Sequence, residues 1–84
     1  MPTISRFYGI LVMMRYKSKE HNPPHIHASY GNYEAAFDIS SGELIKGTFP
    51  TKGVKMIREF LNIHREELLK MWETGNYYQI PGLE

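Results

Sequence analysis

Three of the chain's four histidines fall within one seven-residue run, His21-Asn22-Pro23-Pro24-His25-Ile26-His27. Imidazole titrates near neutral pH and also ligates metals, so the run is the first place to look for chemistry. Each proline fixes its own φ and pushes the residue before it toward extended geometry, which makes the connection stiff. His25 and His27, two apart in an extended segment, point to the same side. Three uses fit these residues. Asp38 could orient His25 as a general base toward a hydroxyl or water, with His27 beside it. His25 and His27, with His21 or Asp38 as the third, could instead supply three ligands of a zinc-type divalent site with an open position, a cofactor the acid–base reading does not need. In the third, the prolines form a structural turn and the histidines lie half-exposed, hydrogen-bonded to neighbours. Whether the chain is an enzyme stays open at this point.

His64 lies between Leu61 and Leu68 on an apolar helical stripe, which suits a buried, hydrogen-bonded histidine; the functional alternative lays it against the sheet edge near His21. Cations form the other group of interest. Arg15 and Lys17 follow the first apolar segment and could contact phosphate. Lys52, Lys55 and Arg58 crowd a helix start, where exposed backbone N–H groups could bind an anion or where the turn is merely solvated. Arg6, Arg15 and Lys46, with Tyr8, Tyr16 and Tyr30, could extend a surface for single-stranded RNA by charge and stacking.

The elements that must position these groups are legible from periodicity. Tyr8 to Tyr16 reads as one strand with apolar residues on both faces. His25 to Tyr30 and Tyr33 to Ile39 form a hairpin about Gly31-Asn32, and Ser40-Ser41-Gly42 turns into a strand from Glu43 to Phe49. The hairpin turn dictates the register. Tyr30 faces Tyr33, Ala28 faces Ala35 and Ile26 faces Phe37 on the core side. Ser29 faces Glu34, His27 faces Ala36 and His25 faces Asp38 on the other. Val54, Ile57, Leu61, Leu68 and Trp72, flanked by Phe60 and Met71, recur at helical spacing from about residue 51 to 73, with Thr51 as N-cap and Gly75 as C-terminal stop. The tail from Asn76 holds Tyr77, Tyr78 and Ile80, which suit an extended docking segment. The expected fold is α+β: a small antiparallel four-stranded meander packed on one long C-terminal helix.

The 84 residues suit a single domain spanning 1–84, and the 42% hydrophobic and 23% charged content is that of a globular protein. Absence of cysteine excludes disulfides and thiolate chemistry. The apolar stretch Phe7 to Met14 is much shorter than the roughly 20 residues that span a bilayer, and no small-residue cleavage site follows it, so the expected location is the cytoplasm with no membrane partner. Through residue 58 the chain has eight Lys/Arg against four Asp/Glu, and thereafter two against five. A basic first part and an acidic last helix favour an acidic partner, such as nucleic acid, for one surface.

Met1-Pro-Thr-Ile-Ser-Arg-Phe-Tyr-Gly, the run from His21 to Ala28, Tyr30-Gly-Asn-Tyr-Glu-Ala, and His64-Arg-Glu-Glu-Leu-Leu followed by Trp72 together resemble the small prokaryotic family catalogued as domain of unknown function 4160. The resemblance covers nearly the whole chain. It implies a partner in a toxin–antitoxin-type pair, hence RNA or an antitoxin-like protein encoded nearby as the partner. The matching positions are His21, Pro23, Pro24, His25, His27, His64, Arg65 and Trp72, the prolines and Trp72 being structural in character. The expectation is a toxin-like component acting on RNA through His25 and His27 with Asp38 as orienter, Arg15 and Lys17 on phosphate, and Lys52 and Lys55 as further nucleic-acid contacts. The competing expectation is a non-enzymatic module that binds a protein, or a second copy of itself, on a face made partly apolar by Leu44 and Ala36.

Overall fold

A computed structural model describes residues 2–15 and 23–83. Five strands precede one helix: β1 (Thr3–Phe7), β2 (Ile10–Met13), β3 (His25–Tyr30), β4 (Tyr33–Asp38), β5 (Leu44–Gly47) and α1 (Thr51–Thr74). The strands form one antiparallel sheet in sequence order. The four-stranded expectation is corrected at the first strand. Tyr8 and Gly9 both adopt positive φ, 49° and 81°, and reverse the chain between β1 and β2. A two-residue hairpin loop with positive φ at both positions matches the twist of its flanking strands, and Gly9 supplies the second position without steric cost. Residues 3–7 therefore form a strand of their own.

The β3–β4 hairpin has the register expected from its turn: all six pairs from His25↔Asp38 to Tyr30↔Tyr33 stand as read from the sequence. Ile26, Ala28, Ala35 and Phe37 are buried on the side that packs on α1, joined by Ile4, Phe7, Ile10, Val12 and Met14 from β1, β2 and the residue after β2. Tyr30 and Tyr33 share that side but lie at its end and remain exposed. The opposite side of the sheet carries two rows. Arg6, Leu11, Ser29 and Glu34 form one, and Thr3, Met13, His27, Ala36 and Lys46 the other. A register shift between Ala36 and Phe37 pairs Phe37 with Leu44, and Leu44 packs against the core cluster. Leu44 thus leaves the outer surface to which it was assigned.

From α1, Ile57, Phe60, Leu61, Leu68, Met71 and Trp72 are buried, and the Phe60 ring stacks on Phe7 at 5.0 Å between centroids. Thr51 is the first helical residue and not the N-cap; Pro50 occupies that position and no side chain caps the start. Proline at the boundary limits the chain to extended geometry there and brings no hydroxyl to accept an amide. Gly75 ends the helix in the left-handed conformation, its N–H donating to the Met71 carbonyl at 2.9 Å. The helix breaks its regular geometry at His64, whose ring lies on Phe60 at 5.0 Å. The next residue, Arg65, donates from Nε to the Ile39 carbonyl at 2.8 Å, tying the helix to the end of β4.

After Gly75 the tail runs back along β1. The Ile80 amide donates to the Ile4 carbonyl at 2.8 Å, Tyr77 Oη donates to the Arg15 carbonyl at 3.1 Å, and Gly82 packs so closely on Phe7 that a Cβ would stand 2.7 Å from the Phe7 Cβ. The tail thereby covers one edge of the sheet, a common protection against unwanted strand pairing.

Candidate functional site on the open sheet face

The helix covers one face of the sheet, so chemistry must be sought on the other or at its margins. Met13, Arg15, His27, Glu34, Ala36, Lys46 and Gly47 line an open depression of about 340 Å³ on that face. Short side chains make the hollow. Ala36 stands directly opposite His27 and opposite Lys46, so nothing bulky fills the space between imidazole and ammonium. Gly47, with φ +84°, closes the rim where a Cβ would stand 2.2 Å from the Glu34 carbonyl oxygen.

The two strand histidines are brought together, yet their environments differ. Their rings meet edge to face at 5.1 Å between centroids. His25 is 9% exposed, with the Trp72 ring at 4.9 Å, and its Nδ1 lies 2.7 Å from the Pro23 carbonyl oxygen. A carbonyl can only accept, so Nδ1 carries the proton and the neutral ring keeps its basic nitrogen at Nε2. The prolines have no N–H to offer; instead the Pro24 carbonyl accepts from the Ile39 amide at 3.0 Å, extending the β3–β4 ladder past His25. His27 is half-buried and lines the depression.

Asp38 lies opposite His25 in the register, and its Oδ1 accepts the amides of Ser40 and Ser41 at 2.8 and 3.1 Å. This side-chain turn starts the reversal into β5. Arg58 Nε donates to the Gly42 carbonyl at 3.0 Å and fastens the same turn to the helix. Lys52 and Lys55 are exposed on α1 and do not line the depression. His64 is partly buried, with Nδ1 3.8 Å from Glu67 Oε1, and does not line the depression. His21 and Lys17 lie outside the described residues, as does Tyr16. Among the described residues no three His, Asp or Glu side chains are grouped to hold a metal ion.

Met13 and Glu34 were not singled out from sequence. Met13 pairs with His27 across β2–β3, a relation hidden when residues 8–16 are read as one strand. The signal that would have exposed it is Gly9, a turn residue within an otherwise apolar run.

Residues 9–73 match the family described as Domain of unknown function (DUF4160). The chain belongs to that family. The matched stretch holds both strand histidines, the depression and nearly all of α1, and stops short of β1 and the tail. No curated protein and no solved structure gives a significant match. No helix among the described residues is long and apolar enough to cross a membrane.

Proposed function

We propose that the protein is the toxin-like component of a toxin–antitoxin-type pair and acts on single-stranded RNA held over the open sheet face. The observation that carries this reading is the depression that His27 lines together with Arg15 and Lys46, with the small side chains of Ala28, Ala35 and Ala36 beside them. RNA cleavage without a metal needs a base for the 2′-hydroxyl and cations for the phosphate. His27 takes the 2′-hydroxyl proton, the 2′-oxygen bonds to the adjacent phosphorus, and the bond to the 5′-oxygen breaks. Water protonates the departing 5′-oxygen, leaving a 2′,3′-cyclic phosphate and a 5′-hydroxyl. Arg15 and Lys46 offset the charge that develops on phosphate. His25 acts as a positioning residue, its ring held by Pro23 and Trp72 and set against His27; Asp38 shapes the neighbouring turn.

Two experiments test the reading. Expression without the neighbouring gene should arrest growth, and His27→Ala should relieve the arrest. Purified protein incubated with single-stranded RNA in the presence of a chelator should yield cyclic phosphate ends, at a rate roughly 100-fold or more lower for His27→Ala. Equal growth of wild type and variant, with RNA left intact, refutes it. An antitoxin-like protein or a second copy seated on the same face is the second reading, supported by Ile45, 44% exposed on β5 and next in the chain to Lys46. It predicts a stable complex and unchanged RNA.

A further inference from the structure

At the end of the sheet where the β1–β2 and β3–β4 turns lie side by side, three tyrosines face solvent: Tyr8 is 53% exposed, Tyr30 43% and Tyr33 45%. Tyr30 and Tyr33 are a directly opposed pair closing the β3–β4 turn. The Tyr30 ring reaches across to the other turn, its Cε1 3.2 Å from where a Gly9 Cβ would stand. Tyr8 holds a φ of 49°, a conformation that glycine or asparagine adopts at far lower cost than an aromatic residue. A bulky ring that is 53% exposed gains little from packing to offset a turn conformation that disfavours it, and such strain concentrates at functional positions.

The charges around this end are mainly positive. Arg6 is exposed on the open face two residues before Tyr8. On the helix side, Phe49 lies 6.5 Å from the Tyr30 ring, and the first turn of α1, with exposed Lys52 and Lys55, rests on Phe49 through Gly53. No acidic residue occupies that turn. Glu34, next to Tyr33, is the acidic neighbour and belongs to the open face. Exposed aromatic rings bordered by cations are the arrangement that binds single strands without reading base identity.

We infer that Tyr8, Tyr30 and Tyr33 form a stacking platform for the unpaired bases of a single strand leaving the open face, with Arg6, Lys52 and Lys55 along its phosphates. Tyr30 is three residues from His27, about 10 Å along the strand, and points to the other side of the sheet, so a single strand lying over His27 reaches the platform by passing round the exposed end of the sheet at the two turns. This rests on the RNA reading above and adds the requirement for unpaired bases. It also gives Lys52 and Lys55 a place on the same strand, beyond the depression.

The test uses two probes that cannot be cleaved: a fluorescent oligodeoxythymidylate and an abasic deoxyribose-phosphate strand of equal length, followed by anisotropy. The platform predicts tighter binding of the base-bearing strand, by about fivefold or more per stacked base. Tyr8→Asn and Tyr33→Ser should each reduce that preference and leave abasic binding unchanged. A Lys52→Gln/Lys55→Gln pair should weaken both probes. Tyr8→Asn should also keep or raise the melting temperature, because asparagine suits the turn, so a loss of binding in it is not a loss of folding. Equal affinity for the two probes, or Tyr variants that bind like wild type, overturns the platform while the RNA reading stands. Binding to neither probe also overturns it, and the growth and cleavage assays then decide the RNA reading separately.

Discussion

Replacing each strand histidine in turn separates the ring that builds the site from the ring that uses it. In His25→Ala the lost imidazole is 9% exposed and packed 4.9 Å from Trp72 and 5.1 Å from His27. Truncating a buried aromatic residue to alanine costs about 3–5 kcal/mol, and the smaller, more polar imidazole belongs at or below the low end, about 2–3 kcal/mol. Loss of the 2.7 Å bond to Pro23 adds up to about 1 kcal/mol, part of it recovered because Pro23 is exposed and its carbonyl can turn to water. The sum is about 3 kcal/mol. For a domain of this size it lowers Tm by about 12–24 °C. His27→Ala removes a half-buried ring from an open depression and should cost about 1 kcal/mol or less. Thermal unfolding followed by circular dichroism reads both. Cleavage assays run below the lower midpoint should show activity lost in His27→Ala and retained in part in His25→Ala. A His25→Ala protein as stable as wild type, or a His27→Ala protein equally destabilised, refutes the division of roles.

Other sites give independent checks. Gly47→Ala should cost at least about 2 kcal/mol, because a left-handed backbone costs an L-residue about 1–2 kcal/mol and the new Cβ also collides with the Glu34 carbonyl. Gly31→Ala, with φ +58° and open space around it, should cost only the former, and denaturant melts of the two should differ accordingly. Arg65→Met removes the bond to the Ile39 carbonyl and should lower stability by about 1–2 kcal/mol in the same assay. Tyr78 donates its phenolic proton to Glu67 Oε2 at 2.7 Å, and this bond, with lesser help from desolvation and the Glu67 charge, raises its pKa above the ordinary tyrosine value. A raised folded-state pKa stabilises the protonated form, so the contribution is present below the unfolded pKa and disappears as pH rises through the folded one. Spectroscopic titration should show one late-ionising phenol that Tyr78→Phe removes; an unchanged titration curve contradicts this.

How much of this was legible before the fold was known follows the range of the forces involved. Alternation in β3 and β4, with the Gly31-Asn32 turn between them, determined every cross-strand pair of that hairpin, because a slip by one residue would exchange its apolar and polar faces. The helical stripe of α1 and its glycine stop were equally local signals. The first hairpin escaped because Tyr8-Gly9 lacks the polar residues that usually mark a turn, and with it went the pairing of Met13 with His27.

The sequence by itself determined that His25 and His27 share a face and that Asp38 stands opposite one of them, since both relations follow from a strand's period of two. Only the tertiary structure decided that they are not equivalent. Trp72, 47 positions along the chain from His25, covers that ring, while His27 lines a hollow kept open by Ala36. Which histidine is enclosed depends on where the end of α1 comes to rest against the sheet, and that is settled by the packing of the whole core.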